Sequence, residues 1–289
     1  MFSPQKVLKL GDELKKKNPK LSGEYMITTK LDGWYVVIPY IKGLGWQAPV
    51  SSAMRAIPSL DWLVGKLDKL ATPNETCFLI AEAIISDIAF PELNGLLNRS
   101  KGDCACTDIE LHLHDIVFPF KPELTALHRF EVLQDLDISY VANSFKKVKL
   151  LEVSSYSKNW DRRFEEQLNK GEEGIILKEA SATYQFGKRN SSLLKMKLEL
   201  EVDLLAVRLE EGIGEKGNDS LTLVSKRSSG MEVRTVIGKL EDKALFRANP
   251  EKIIGKVVTV KAMEEFTDGQ LRQPVFKWIR YEKEPNDIN

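Results

Sequence analysis

The sequence is short of the residues that build metal clusters and disulfide frameworks. It holds three cysteines, Cys77, Cys104 and Cys106, and three histidines in 289 residues. Three thiols cannot all pair with one another, and Cys104 and Cys106 lie too close in sequence for a typical zinc clip. The expectation is a reducing compartment and no structural metal cluster. No apolar run approaches the ~20 residues that span a bilayer. The opening "MFSPQKVLKLGDELKKKNPK" is amphipathic and basic, without the apolar core of a secretory signal. Internal repeats, low-complexity tracts and a Pro/Gly-rich hinge are also missing. So is any excess of charge: 42 lysines and arginines balance 42 aspartates and glutamates. A zero net charge decides nothing about nucleic acid, because phosphate binding needs a local basic face. Three local clusters exist, Lys15–Lys17, Lys146–Lys149 and Lys226–Arg227, and each taken alone reads as a solvated face.

What is present is a globular composition, 43% hydrophobic and 29% charged. The length suits one large domain or two of ordinary size. "EYMITTKL" and "WYVVIPYI" read as a β pair around an Asp32-Gly33 turn. "PSLDWLVGKLDKL" has apolar residues at helical spacing and opens on Pro58. "TCFLIAEAII" and "DIELHLHDIVF" read as strands, with the short helix "PELNGLLNR" between them. A helix is predicted from Pro122 through "PELTALHRFEVLQDL". "KKVKLLEVSSY" then reads as one strand. "SKNWDRRFEEQLNKG" reads as a helix with Ser157 as N-cap and Gly171 as stop. "EGIILKE" and "SLLKMKL" are two further strands. Residues 1–22 leave room for a short helix. Beyond about residue 198 the texture changes to five short strands, "EVDLLAVRLEEG", "SLTLVSKR", "EVRTVIGKL", "KVVTVKAMEEF" and "PVFKWIRY", with the helical insert "DKALFRANPEKIIG". Five strands and one helix in about 90 residues fit a small barrel of the OB type. The predicted fold class is α+β: residues 1–198 with antiparallel sheets and flanking helices, then an OB barrel over 199–289.

Several polar residues sit where an apolar strand makes them costly. Lys30 ends a strand, and by itself it fits a stem that packs while its amine reaches water. The following Leu31-Asp32-Gly33 adds a carboxylate suited to a hard cation and a glycine that lets backbone approach a ligand. Glu82 stands alone in "LIAEAI", and a buried carboxylate needs a donor or a metal. Glu173 precedes a strand beside Gly174, at a position suited to a divalent ion. Lys195 and Lys197 are two residues apart and so share a strand face. Two adjacent cations repel, which makes an anion their natural partner; the alternative is a solvent-facing pair on a half-buried strand.

The ordered set "KLDG", "SSAMRAIPSL", "LIAEAI", "LHLHDIVF", "EEGIILK", "SLLKMK" and "RQPVFKWIRYEK" resembles the covalent nucleotidyltransferase superfamily. Within it the set is most similar to the small ATP-dependent DNA ligases of phages and viruses, and it covers most of the chain. The resemblance makes residues 1–198 the nucleotidyltransferase (adenylation) domain. It implies that Lys30 attacks the α-phosphate of ATP to form a lysyl-AMP and expel pyrophosphate. An amine attacks only when neutral, and desolvation and neighbouring cations favour that form. Lys195 and Lys197 would hold the α-phosphate. Glu173, with Asp32, would hold Mg²⁺ or Mn²⁺. Glu82 would accept from the ribose hydroxyls, Thr28 would contact the adenine, and Leu31 would lie against the nucleotide. His114 stands where the family stacks Phe or Tyr on the base. Its alternative is an ordinary strand histidine beside Asp115. Arg280 and Lys283 would come from the barrel to orient the pyrophosphate. The implied partner is nicked double-stranded DNA, bound by a monomer in the cytoplasm and away from membranes.

The pattern breaks on the nucleic-acid side. The family carries an arginine at the position of Tyr35 and another at Ser52, and neither tyrosine nor serine replaces a bidentate fork. Arg55, Lys188 and Arg189 are candidates to take over those phosphate contacts. The loops Ser86–Cys106 and Glu210–Ser220 are candidates to wrap a duplex, since the two core domains leave no length for a third. Two other readings compete: an RNA ligase or RNA guanylyltransferase of the same superfamily, and a non-catalytic nucleic-acid-binding module.

Overall fold

The computed structural model describes residues 2–16, 21, 23–70, 72–86, 88, 90–99, 106–155, 158–212, 220–263, 265–266 and 268–288. The chain divides into two compact units, Met1–Lys197 and Leu198–Asn289.

In chain order the first unit runs β1 (Lys6–Lys9), α1 (Leu10–Leu14), β2 (Glu24–Lys30), β3 (Trp34–Ile41), β4 (Gly45–Trp46) and β5 (Val50–Ser51). It continues through α2 (Val64–Leu67), β6 (Cys77–Ile84), α3 (Phe90–Leu97), β7 (Glu110–Val117), α4 (Ala126–Asp135) and β8 (Phe145–Lys147). It closes with β9 (Leu150–Ser155), α5 (Lys158–Leu168), β10 (Gly174–Glu179) and β11 (Arg189–Lys197). These strands form two sheets, one ordered β1-β11-β10-β2-β9 and the other β4-β3-β6-β7-β8, with β5 paired to β3. One face of the first sheet buries Tyr25, Ile27, Ile175, Leu177 and Leu194 against Trp160 of α5 and Leu10. One face of the second buries Val36, Ile38, Leu79, Leu111 and Leu113 against Leu60, Leu63, Leu67, Leu93 and Leu133. Each such large side chain contributes ~1.5–3 kcal/mol on full burial.

The second unit is a closed barrel of order β12-β13-β14-β16-β15, from β12 (Leu200–Glu211), β13 (Leu221–Lys226), β14 (Glu232–Val236), β15 (Val257–Ala262) and β16 (Val275–Ile279). Helix α6 (Leu240–Ala248) lies between β14 and β15. Closure removes free strand edges, as in OB-type barrels.

The structure corrects several sequence expectations. β2 and β3 do not form a hairpin: β2 pairs with β9 and β10, while β3 pairs with β4, β5 and β6. The Leu31–Gly33 link therefore joins two sheets. Gly33 is needed for proximity, since a Cβ there would lie 2.5 Å from the Ala83 carbonyl oxygen and 2.6 Å from Glu82 Cγ. The expected helix from Pro58 begins as a 3₁₀ turn over Pro58–Leu63 before α2. Its buried Leu60, Leu63, Leu67 and Leu70 include two i, i+3 pairs, the spacing that eclipses in a 3₁₀ turn. The helix expected from Pro122 starts at Ala126, because the Thr125 hydroxyl caps it by accepting from the His128 N–H at 3.3 Å. The single strand expected over 146–156 is two, β8 in one sheet and β9 in the other. Between them Val148 is pinned by its N–H to the Leu113 carbonyl at 2.9 Å. The region 1–22 holds strand β1 as well as helix α1. The barrel's helical insert stops at Ala248, and Pro250 opens a separate 3₁₀ turn. Gly171 takes the left-handed conformation expected of a helix stop, φ 81°. Ser157 and, in the two candidate wrapping loops, residues 87, 89, 100–105 and 213–219 lie outside the described residues, and helix α3 occupies part of the first.

Candidate active site

The site lies in a cleft of about 280 Å³ lined from both sheets of the first unit. Its cationic floor follows from strand register. Lys30 and Lys197 are both partners of Gly174, while Thr28 and Lys195 are both partners of Ile176. Period-two alternation puts all four on one face of the sheet, with Ile27, Ile175 and Leu194 in the core on the other. The Lys30 amine donates to Glu173 Oε2 and, at 3.4 Å, to the Leu31 carbonyl. Lys197 Nζ lies 3.6 Å from Glu173 Oε1. That Oε1 atom is buried and makes no hydrogen bond. Burial, Lys197 and Lys30 together pull the Lys195 amine below its ordinary value.

Glu82 enters from β6, paired with Tyr35 of β3 and His112 of β7. Burial pushes its carboxyl up to about 7, against the opposing pull of Lys30, and Glu173 and Asp32 add to the rise. The Gly33 N–H hydrogen-bonds to it. Asp32 itself is exposed in the link.

His114 owes its aim to a bulge. The register passes from Ile80–Asp115 to Ala81–Leu113, leaving His114 as the extra residue on β7. His114 and Asp115 consequently both line the cleft. The His114 ring is desolvated and faces Lys178, so its pKa falls to about 4 and the ring is neutral near pH 7. Tyr35 lies 5.8 Å from it between ring centres and hydrogen-bonds to Tyr184. The Tyr184 hydroxyl also accepts from the Gln5 N–H at 2.9 Å.

Beneath the rings lies a charged trio. Asp115 accepts from Arg129 Nε at 2.9 Å, from Arg129 Nη2 at 3.3 Å and from Lys178 Nζ at 2.8 Å. Burial alone would raise the Asp115 carboxyl, but Lys178 and Arg129 outweigh it and hold the group well below the usual carboxylate range. Lys178 also donates to the His114 carbonyl at 3.2 Å.

The structure therefore brings Thr28, Lys30, Leu31, Glu82, His114 and Lys195 together around one cleft, with Glu173 and Lys197 at the Lys30 end. Tyr35 is part of the cleft wall. Ser52 and Arg55 are exposed on the turn after β5, which the left-handed Met54 (φ 57°) tightens. Lys188 and Arg189 are exposed at the start of β11. Within the barrel, Arg280 Nη1 and Lys283 Nζ converge on Asp203 Oδ2 at 3.2 and 2.7 Å, and Thr259 donates to Asp203 Oδ1 at 2.6 Å. Burial would raise that carboxyl, yet these donors keep it below its ordinary value. Sequence reasoning did not single out Lys178, Asp115, Arg129, Tyr184 or Gln5. The signal that exposed Glu82, a charge inside an apolar strand, applies equally to Asp115 in "LHLHDIVF" and Lys178 in "GIILKE". Among the described residues, no group of three or more His, Cys, Asp or Glu gathers as a metal cluster, and no helix is long and apolar enough to cross a membrane.

A two-sheet cleft with a lysine-rich floor, followed by a closed five-stranded barrel, defines the nucleotidyltransferase-plus-OB class of protein. Residues 63–197, just under half of the chain, match the ATP dependent DNA ligase domain. A DNA ligase of Methanothermobacter thermautotrophicus is 27% identical over 212 residues, covering 63% of this chain and 38% of that protein. The chain thus spans little more than a third of that curated relative. A structure of the Lig E DNA ligases superposes with a TM-score of 0.70 at 17% identity, covering 97% of this chain and all of that one. The ATP-dependent DNA ligase of bacteriophage T7, in complex with ATP, gives 0.57 at 19% identity, covering 96% and 98%. At these identities the superpositions speak to fold.

Proposed function

We propose that the chain is an ATP-dependent DNA ligase that seals nicks in duplex DNA through a lysyl-AMP on Lys30. One observation carries the reading: Lys30, Lys195 and Lys197 share one sheet face at the end of a cleft, and Glu173 bridges Lys30 and Lys197. Three cations around one carboxylate leave net positive charge, which suits a polyphosphate. In the first step the Lys30 nitrogen bonds to the α-phosphorus of ATP and the bond to pyrophosphate breaks. The attacking amine must first lose a proton, and Glu173 Oε2 is the acceptor already in contact with it. Lys195 and Lys197 offset charge that develops on the α-phosphate oxygens. The base would lie toward His114 and Tyr35, where a neutral imidazole offers a face for stacking and no competing charge. Glu82 would accept from the ribose hydroxyls. AMP then passes to the 5′-phosphate of the nick, and the 3′-hydroxyl displaces it to join the strand.

A divalent cation fits this donor set, because Glu173 presents a buried oxygen with no hydrogen bond and Glu82 stands close enough to feel its charge. When bound, Mg²⁺ would neutralise phosphate charge, with Glu173 as its holder. The barrel's Arg280 and Lys283 would meet the leaving pyrophosphate by exchanging Asp203 for phosphate oxygens.

The test is incubation with ATP labelled on the α-phosphate, with Mg²⁺, followed by a chase with nicked duplex DNA. Covalent label that disappears in Lys30→Ala and moves into sealed product supports the reading. Label from GTP in place of ATP would redirect it to RNA guanylyltransfer. Absence of label from either nucleotide overturns it.

A further inference from the structure

The cleft has two ends, and strand direction tells them apart. Gly174, at the start of β10, is the register partner of both Lys30 and Lys197. Lys178 stands further along the same strand, about 13 Å away at ~3.3 Å per residue. Tyr184 follows β10, and Gln5 precedes β1, whose first residue pairs with Arg189 at the start of β11. Tyr184 and Gln5 therefore belong to the end of the sheet away from Lys30, and both line the cleft.

Tyr184 is held there from several sides. Its hydroxyl oxygen accepts from the Gln5 N–H at 2.9 Å. Gln5 is itself tied down, accepting at Oε1 from the Gln185 N–H at 3.3 Å and donating from Nε2 to Ser192 Oγ at 2.9 Å. The Arg129 guanidinium lies 5.4 Å from the Tyr184 ring centre, and Phe2 stacks on the ring at 6.0 Å. Tyr35, on β3, hydrogen-bonds to the same hydroxyl. Two phenols bring two O–H protons, and the bond between them uses one. Burial pushes the Tyr184 hydroxyl up to about 12 and raises Tyr35 well above its ordinary value, so both keep their protons near pH 7. The second proton has no acceptor among the described residues. Asp115, whose charge both phenols feel, is already engaged by Arg129 through both oxygens and by Lys178. A buried donor left unpaired is costly, so the pair suits an acceptor that arrives in the cleft.

A nucleotide whose phosphates meet Lys30 and whose ribose meets Glu82 points its base toward this end. The edge of adenine farthest from the glycosidic bond carries the ring nitrogen N1, a hydrogen-bond acceptor. In guanine the same nitrogen bears a hydrogen and donates. We propose that the Tyr35–Tyr184 phenol pair donates its free O–H to N1 of adenine and so selects ATP over GTP. This contact rests on the reading of the chain as a ligase that forms lysyl-AMP. Donor set against donor leaves both groups unpaired, which is how a hydrogen-bonding pocket rejects the wrong substrate.

The experiment measures lysyl-nucleotide formation by the full chain with ATP, 1-deaza-ATP, 7-deaza-ATP and GTP, each over a concentration series. The unsubstituted chain should need about three- to tenfold more 1-deaza-ATP than ATP for half-maximal labelling, the worth of one neutral hydrogen bond. It should need no more 7-deaza-ATP than ATP. In Tyr35→Phe/Tyr184→Phe, checked by thermal unfolding, ATP and 1-deaza-ATP should become equivalent, and the preference for ATP over GTP should shrink at least about threefold. Equal labelling of the unsubstituted chain by ATP and 1-deaza-ATP overturns the proposal, and that comparison stands even where the double variant does not fold. A penalty that follows 7-deaza-ATP in place of 1-deaza-ATP, or that survives loss of both hydroxyls, overturns it too. Each of these results requires lysyl-AMP to form from ATP, so each counts against the phenol pair alone. If no lysyl-nucleotide forms at all, the ligase reading falls and the base contact with it.

Discussion

Lys30 and Lys197 face each other across Gly174, the one residue that is register partner to both. The strand between the two amines carries no side chain at that point, so Glu173 can turn its carboxylate to both. Gly174 has φ 150°, and a Cβ there would lie 2.1 Å from the Met196 carbonyl oxygen, a backbone atom that cannot swing aside. Gly174→Ala is therefore expected to push β10 away from β11 and move Lys197 relative to Lys30. The cost should be about 2–4 kcal/mol, read by urea unfolding. Lysyl-AMP formation should fall at least a hundredfold at a temperature where the variant is still folded. A variant that unfolds early yet adenylates normally would disprove the spacing role.

Glu82 and His114 make opposite contributions to pH-dependent stability. Folding raises the Glu82 carboxyl from 4.5 to about 7, so between those values the folded chain holds the extra proton and stability falls as pH rises. Folding lowers the His114 imidazole from 6.5 to about 4, so in that window the unfolded chain holds the extra proton and stability rises with pH. Each contribution is of order 1–3 kcal/mol, and over most of the range they cancel. Glu82→Gln should unmask the rising slope between pH 4 and 6.5 and be more stable than the parent at pH 8. His114→Phe should unmask the falling slope between pH 4.5 and 7. Unfolding free energies at four pH values decide it, and parallel curves for parent and both variants would refute the opposition.

Arg129 and Asp115 hold the wall on which the His114 bulge rests. Both are buried, and Lys178 is the third member of the trio. Arg129→Met leaves Asp115 with one cation in place of two. The expected loss is about 3–5 kcal/mol, the range for breaking a buried pair by removing one partner. Because Lys178 and His114 line the cleft, the KM for ATP should rise as well, even in stabilising osmolyte. The check is chemical unfolding combined with adenylation kinetics.

How far the sequence led is visible in the same residues. Lys30, Glu82, Lys195 and Lys197 were legible because each puts charge at a strand position where burial is costly, and period two predicts which of them share a face. The barrel was legible for the same reason, as alternating short strands. Tertiary pairing was not. The Lys30–Gly33 link looks like a hairpin turn because local turn chemistry is blind to which sheet receives the next strand. The His114 bulge adds one residue to β7 without changing its apolar character. β1 is four residues long, and its pairing with β11 spans most of the first unit's sequence, so no local pattern announces it.

Ser52 and Tyr35 are the two positions that the ligase resemblance would fill with arginine, and the structure separates them. Ser52 is exposed on the turn after β5, so an arginine there displaces no packed atom. Tyr35 is embedded in the cleft wall, close to His114 and hydrogen-bonded to Tyr184, in a setting that raises its hydroxyl pKa chiefly by burial. Ser52→Arg is expected to leave thermal stability unchanged and to steepen the salt dependence of duplex binding by about 0.9, one added phosphate contact. Tyr35→Arg breaks the Tyr184 hydrogen bond and brings a cation toward Arg129 and Lys178, with an expected cost of about 1–3 kcal/mol. If Tyr35→Arg proves neutral in unfolding and also raises duplex affinity, the wall is not the packed unit described above. If Ser52→Arg leaves the salt slope unchanged, the turn after β5 lies off the path of the nucleic acid.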